Sequence, residues 1–257
     1  MIVFVTGATA GFGAAIARKF LQEGHQIVGA GRRSERLSAF ADEFGRDWFH
    51  PVPLDVTRNE DVSAAVHNLP ETFRAIDLLV NNAGLARGLE PAHKSQIADW
   101  DAMIDTNVRG LTYVTHAVLP GMVERNRGHI MNMGSIASTY PYPGGNVYGA
   151  TKAYVRQFSL NLRADLAATL VRVTDVESGL VGGSEFSVVR FKGDAERAAS
   201  LYEGANPLTP EDIADTVHWI ATRPPHVNIN TIVLMPVSQT FGPLPIARAD
   251  QRKSDSL

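Results

Sequence analysis

The stretch Ile2-Val3-Phe4-Val5-Thr6-Gly7-Ala8-Thr9-Ala10-Gly11-Phe12-Gly13 decides the fold. A β-branched run enters a turn with glycines at 7, 11 and 13, and an amphipathic stretch, Gly11–Glu23, follows. Glycine permits a tight turn and lets backbone N–H groups approach an anion at the positive end of a helix, an arrangement suited to a pyrophosphate. The spacing is G-x-x-x-G-x-G, and the absence of a following Gly-Lys-Ser/Thr excludes a Walker loop. Gly7, Thr9, Gly11, Phe12 and Gly13 are therefore the candidate phosphate-binding residues.

Outward from this turn, short β-branched runs alternate with longer amphipathic stretches, the pattern of a parallel sheet covered by helices on both faces. Strands are expected at Ile2–Thr6, Gln26–Ala30, Trp48–Leu54, Asp77–Val80, His129–Met133, Val171–Glu177 and Thr231–Met235. Helices are expected near Gly11–Glu23, Glu35–Phe44, Asn59–Asn68, Ala98–Arg125, Val147–Ala168 and Pro210–Thr222, with the fourth divided in two by Pro120. The sequence predicts one α/β domain over residues 1–240, a glycine-containing polar lid at about 180–207, and a charged tail over 241–257.

Composition removes several function classes. The 257 residues include no cysteine, which excludes disulfides and thiolate chemistry, and the eight histidines form no H-x-x-x-H pair, so no metal is expected. A net charge of −3 argues against nucleic acid. No run approaches the ~20 apolar residues of a membrane span, and the N-terminal run lacks the features of a signal peptide. A cytoplasmic location is the expectation.

About 20 residues past the glycine turn an acidic side chain would bind the ribose hydroxyls of NAD. Here stand Gly31-Arg32-Arg33, with no carboxylate until Glu35. Two guanidiniums attract a 2′-phosphate; at ~1.5 kcal/mol each they favour NADP over NAD by about a hundredfold.

Tyr148-Gly149-Ala150-Thr151-Lys152 opens a helix and puts the tyrosine and the lysine on one face. An ammonium ~4 Å from the phenol would lower its pKa by about three units and make Tyr148 a useful acid/base. The pair alone is common. Its weight comes from Ser135 at the end of the fifth strand, Asn81-Asn82-Ala83-Gly84 at the end of the fourth, and Asn107 inside a helix that asparagine disfavours.

On these motifs, in this order and over nearly the whole chain, the sequence resembles the short-chain dehydrogenase/reductase family. The resemblance implies a Rossmann-like, doubly wound, seven-stranded parallel sheet in order 3-2-1-4-5-6-7, a catalytic tetrad of Asn107, Ser135, Tyr148 and Lys152, and a homotetramer. It implies that Asn107 holds a proton-relay water through its backbone and that Lys152 also binds the nicotinamide ribose. Asp55, followed by Val56, would meet the adenine amine. Asn81, Asn82, Ala83 and Gly84 would line the adenosine side, and Gly179, Leu180, Val181 and Ser184 the nicotinamide side. Glu90-Pro91-Ala92-His93-Lys94 and Val181-Gly182-Gly183-Ser184-Glu185-Phe186 look like the NADP-dependent 3-hydroxy acid dehydrogenases, which act on serine, allo-threonine and malonic semialdehyde.

One departure stands out: the family's Pro-Gly after the sixth strand is Ser178-Gly179 here, which is expected to loosen the wall behind the nicotinamide. A 3-hydroxy acid carboxylate needs a cation, for which Arg190, Lys192 and Arg87 are candidates; Ser135, Tyr148 and Arg190 form the expected substrate contacts. Three rival readings are an epimerase or dehydratase, a reductase of an unrelated ketone or aldehyde, and an NADP-sensing regulator. A serine hydrolase is disfavoured, because Gly134-Ser135-Ile136-Ala137 lacks the second glycine of a nucleophile elbow.

Overall fold

Successive side chains of a strand point to opposite faces, so apolar residues at consecutive positions demand cover on both. The computed structural model, which describes residues 1–241, meets that demand with a seven-stranded parallel sheet in order β3-β2-β1-β4-β5-β6-β7. The chain runs β1 (Ile2–Thr6), α1 (Gly11–Gln22), β2 (Gln26–Gly31), α2 (Ser34–Phe44), β3 (Phe49–Pro53), α3 (Asn59–His67), α4 (Glu71–Arg74) and β4 (Leu78–Asn81). It continues with α5 (Ile97–Ile104), α6 (Leu111–Glu124), β5 (Gly128–Ser135), α7 (Asn146–Asp165), β6 (Val171–Ser178), α8 (Phe186–Arg190), α9 (Ala195–Ser200), α10 (Pro210–Ala221) and β7 (Thr231–Leu234).

Val3 and Val5 pack with Ile16 and Phe20 of α1 and Val217 of α10, while Phe4 between them packs with Val62, Val118 and Leu162 on the other face. Truncating Phe4, which is fully buried, to alanine would cost about 3–5 kcal/mol. All parallel pairings run in register, among them Thr6 beside Ala30 and Ser135 beside Ser178, which brings the carboxyl ends of the central strands to one edge. No described helix is long and apolar enough to cross a membrane.

The division of the fourth expected helix falls elsewhere than proposed. Pro120 lies inside α6, and the break is instead a π-helical turn over Asp105–Gly110 that contains Asn107. α6 runs on through Pro120, whereas the extra residue of the π-helical turn, a feature that recurs at functional sites, interrupts the α-helical ladder. The 180–207 stretch carries α8 and α9, and a bridge between Val181 and Leu208 ties its two ends together. The expected tail lies almost wholly outside the described residues.

Candidate active site

At the glycine turn, Gly7 has φ +68° and Gly11 φ +49°, left-handed values that other residues rarely adopt. A Cβ at Gly11 would come 3.2 Å from Ser184 Cβ, so the 180–207 stretch rests directly on the turn. Ala10, the N-cap of α1, supplies no side-chain acceptor, and the first N–H groups of that helix stay available to an anion. Asn82 braces the turn: its Nδ2 donates to the Thr6 carbonyl at 2.8 Å and to Gly7 at 3.3 Å. Thr6 Oγ1 accepts from the N–H groups of Asn82 and Ala83, both at 2.9 Å. Thr6 escaped the sequence reading, although a hydroxyl closing a strand ahead of the glycines was the available signal.

Arg32 is exposed and, with Pro53, Leu54, Asp55 and Asp61, lines a groove of about 490 Å³ beside the ends of β2 and β3. Asp55 Oδ1 accepts from Thr57 N–H at 3.0 Å and Thr57 Oγ1 at 2.9 Å, and Val56 is buried behind it. Arg33 donates from Nε and Nη2 to Thr9 Oγ1 at 3.2 and 3.1 Å and pairs with Glu185 at 2.6 Å. Arg36, not among the residues expected from sequence, donates to the Thr9 carbonyl at 3.2 Å and shares Glu185 at 2.9 Å. These residues fit NADP: a glycine cradle with an uncapped helix end for the pyrophosphate, and guanidiniums at the rim for a 2′-phosphate.

Asn81 does not belong to this rim. Its Nδ2 donates to Thr115 Oγ1 and Asn132 Oδ1 at 2.8 and 2.9 Å inside the core, because the last position of β4 points toward α6. Asn107 is fully engaged: Nδ2 donates to Leu85 O at 2.8 Å and Thr151 Oγ1 at 3.0 Å, and Oδ1 accepts from Leu85 N at 2.9 Å. It thereby ties the loop after β4 to α7, with Gly84 beside it; a Cβ there would lie 3.7 Å from Lys152 Nζ.

Tyr148 and Lys152, one turn apart on α7, are both buried. Lys152 Nζ donates to the Met133 carbonyl at 2.8 Å and lies 5.9 Å from the centre of the Tyr148 ring. Burial pushes the Tyr148 phenol up to about 12, with the nearby Ser135 hydroxyl and the Arg190 guanidinium pulling the other way. Burial likewise draws Lys152 down to about 8. The helix spacing is as expected, and in this structure burial is the largest influence on the phenol.

Ser135 Oγ accepts from Ala137 N at 3.2 Å and donates to the Ser178 carbonyl at 3.4 Å. Phe186 meets the Tyr148 ring edge-on at 5.9 Å between centroids, and the Arg190 guanidinium sits 5.4 Å from the same ring. Arg190 also donates to Tyr142 Oη and to Gly88 O. Lys192 is exposed and pairs with Asp99 at 2.8 Å, and Arg87 is half-buried. Behind the site, Ser178 is buried and continues β6 in register with both Ser135 and Leu234. The N–H groups of Gly179 and Leu180 are committed to Leu234 O and Gln239 Oε1, so of the three residues expected to face a carboxamide Val181 alone keeps an N–H with no partner among the described residues. Ser184 Oγ accepts weakly from Phe186 N at 3.4 Å.

The model of the family described as short chain dehydrogenase matches residues 1–192. The chain belongs to that family. NADP-dependent 3-hydroxy acid dehydrogenase YdfG from Salmonella typhimurium is 61% identical over 249 residues, covering 97% of this chain and all of that protein. Serine 3-dehydrogenase from Rhizobium radiobacter is 50% identical over 246 residues, 96% of this chain and 98% of that one. Among solved structures, a closed form of serine dehydrogenase complexed with NADP+ superimposes with TM-score 0.95 at 58% identity, covering 96% of this chain and all of that one.

Proposed function

We propose that this short-chain dehydrogenase is an NADP-dependent oxidoreductase interconverting small 3-hydroxy acids, of the serine, allo-threonine and 3-hydroxypropionate class, with the corresponding 3-oxo acids. The observation that carries the reading is the convergence of a hydroxyl, a phenol and a guanidinium, from Ser135, Tyr148 and Arg190, beside a glycine cradle fitted to NADP. The names of relatives at 50–61% identity support the same substrate class.

NADP(H), when bound, supplies or accepts the hydride. Arg32, Arg33 and Arg36 hold the 2′-phosphate, Gly7, Thr9, Gly11, Phe12 and Gly13 the pyrophosphate, Asp55 and Val56 the adenine, and Asn82, Ala83 and Gly84 the adenosine side. Val181, with Gly179, Leu180 and Ser184, walls the nicotinamide, and Lys152 binds its ribose. Ser135 donates a hydrogen bond to the substrate oxygen, and Tyr148 gives that oxygen a proton in reduction and takes one in oxidation. Asn107 keeps the loop after β4 locked to α7, and Arg190 pairs with the carboxylate. A cytoplasmic homotetramer belongs to the same reading.

A steady-state panel tests it: 3-hydroxy acids and simple alcohols with NADP and NAD in parallel, plus NADPH consumption with malonic semialdehyde. Turnover selective for 3-hydroxy acids with NADP is the expected result. Binding of NADPH with no turnover of any carbonyl compound would replace this reading with the NADP-sensing regulator.

A further inference from the structure

Asp175 and Glu177 lie two residues apart on β6, so both side chains leave the same face of the sheet, beneath α7. They are 1% and 2% exposed, and among the described residues the Asp175 carboxyl oxygens have no N–H or hydroxyl donor, only the neighbouring Glu177 carboxyl, with which a bond forms once one of the two is protonated. Glu177 Oε1 accepts from Ser138 Oγ at 2.8 Å and lies 3.7 Å from Arg156 Nε. Gly134, paired with Glu177 across the β5–β6 ladder, makes room for both acids: a Cβ there would strike Asp175 Oδ1 and come 3.1 Å from Glu177 Cγ. Lys152 is anchored one residue away, on the Met133 carbonyl. A cation and two acids thus converge on residues 133–134 of β5.

Burying an unpaired carboxylate is costly, and two carboxyls in one site resist ionising together. Burial, the Glu177 charge and a hydrogen bond to the Glu177 carboxyl accordingly raise the Asp175 carboxyl well above the usual range, against the pull of Lys152 and Arg156. For Lys152 the relation is reciprocal, since burial lowers it and Asp175 is the group pushing back.

We infer that Asp175 is a positioning residue for Lys152, a buried acid whose charge, once its proton has left, holds the ammonium in its cationic form. The inference rests on Lys152 having the role given above. The groups facing Asp175 are Glu177 on its own strand and Lys152 and Arg156 on α7. Its partners across the two ladders, Asn132 and Thr231, do not titrate. As the pH rises, the proton of Asp175 passes to solvent, and the new negative charge opposes deprotonation of Lys152 in the range where burial alone would strip it.

The test is kcat/KM for NADPH-dependent reduction from about pH 6 to about pH 10 in the wild type, D175N and E177Q. D175N should move the alkaline limb down by about one pH unit, while E177Q, in which Asp175 ionises at lower pH, should keep it. A uniform loss at every pH would make Asp175 a packing residue and overturn the inference, as would a limb lost equally in both variants. An infrared titration of the folded wild type, independent of turnover, should show a protonated buried carboxyl that fades as pH rises and is absent from D175N. Lack of that band sinks the inference even if D175N does not fold, whereas a wild type with the band and no turnover refutes only the proposed function.

Discussion

Arg33 and Arg36 meet Glu185 at the rim of the glycine turn with 40–48% of each side chain exposed, whereas Lys152, Asp175 and Glu177 lie 8% exposed or less between α7 and β6. Both clusters mix cations with acids, but water separates their consequences. An exposed ion pair is worth about 0–1 kcal/mol, so Glu185 can yield its place to a 2′-phosphate at little cost. The buried cluster has little solvent to absorb a change of charge, and Lys152 and Asp175 act on each other's proton affinity. The rim selects a ligand by exchanging partners; the interior holds protonation states in place.

The largest expected effect belongs to the interior. Tyr148→Phe should lower turnover by about 10²–10⁴-fold with the fold intact by circular dichroism, the contribution of a general acid/base. The sign of the pH dependence follows from a phenol raised to about 12. At neutral pH it is the proton donor, so reduction needs no prior ionisation, whereas oxidation needs the phenolate. Oxidation of the hydroxy acid should therefore gain on reduction as pH rises from about 6 to about 8, where Lys152 begins to lose its proton. Initial rates in both directions check this.

At the rim, the double variant Arg32→Ala, Arg33→Ala should reduce the NADP-over-NAD ratio of kcat/KM by about a hundredfold, and raised salt should erode the wild-type preference more than the variant's. An unchanged ratio would assign the selectivity to Arg36 alone.

Arg190 stands between the two regions, half-buried over Tyr148. Arg190→Ala should raise KM about tenfold or more for 3-hydroxy acids and much less for a neutral alcohol, since an acid left without its cation bears the desolvation cost. Equal effects on both would remove it as the carboxylate partner.

The smallest effect is expected at Ser178. Because β6 continues in register through this residue, Ser178→Pro should change NADPH affinity only a few-fold, toward tighter binding through a stiffer backbone, measured by fluorescence titration. A large loss would mean that the strand needs the N–H proline lacks.

Much of this was legible along the chain. Val3, Phe4 and Val5 announce a strand covered on both faces, and the Tyr148–Lys152 spacing is a property of any helix. Asn81 was misassigned, because nothing local says that the last residue of β4 points into the core while Asn82 turns to the glycines. Pro120 misled for a similar reason: a proline is visible in sequence, whereas the π-turn at Asp105–Gly110 is dictated by packing. Arg36 and Glu185 were invisible as partners, being 149 residues apart.

What the amino-acid order alone determined is whatever depends on short-range periodicity: the alternation of strands and helices, the left-handed glycine turn, and the shared face of Tyr148 and Lys152. The tertiary structure decided where the charges ended up. Lys152 donates to the Met133 carbonyl, and burial raises the Tyr148 phenol. Proton affinity depends on how much water surrounds a group and which charges stand nearby in space, and neither distance is written in the spacing along the chain.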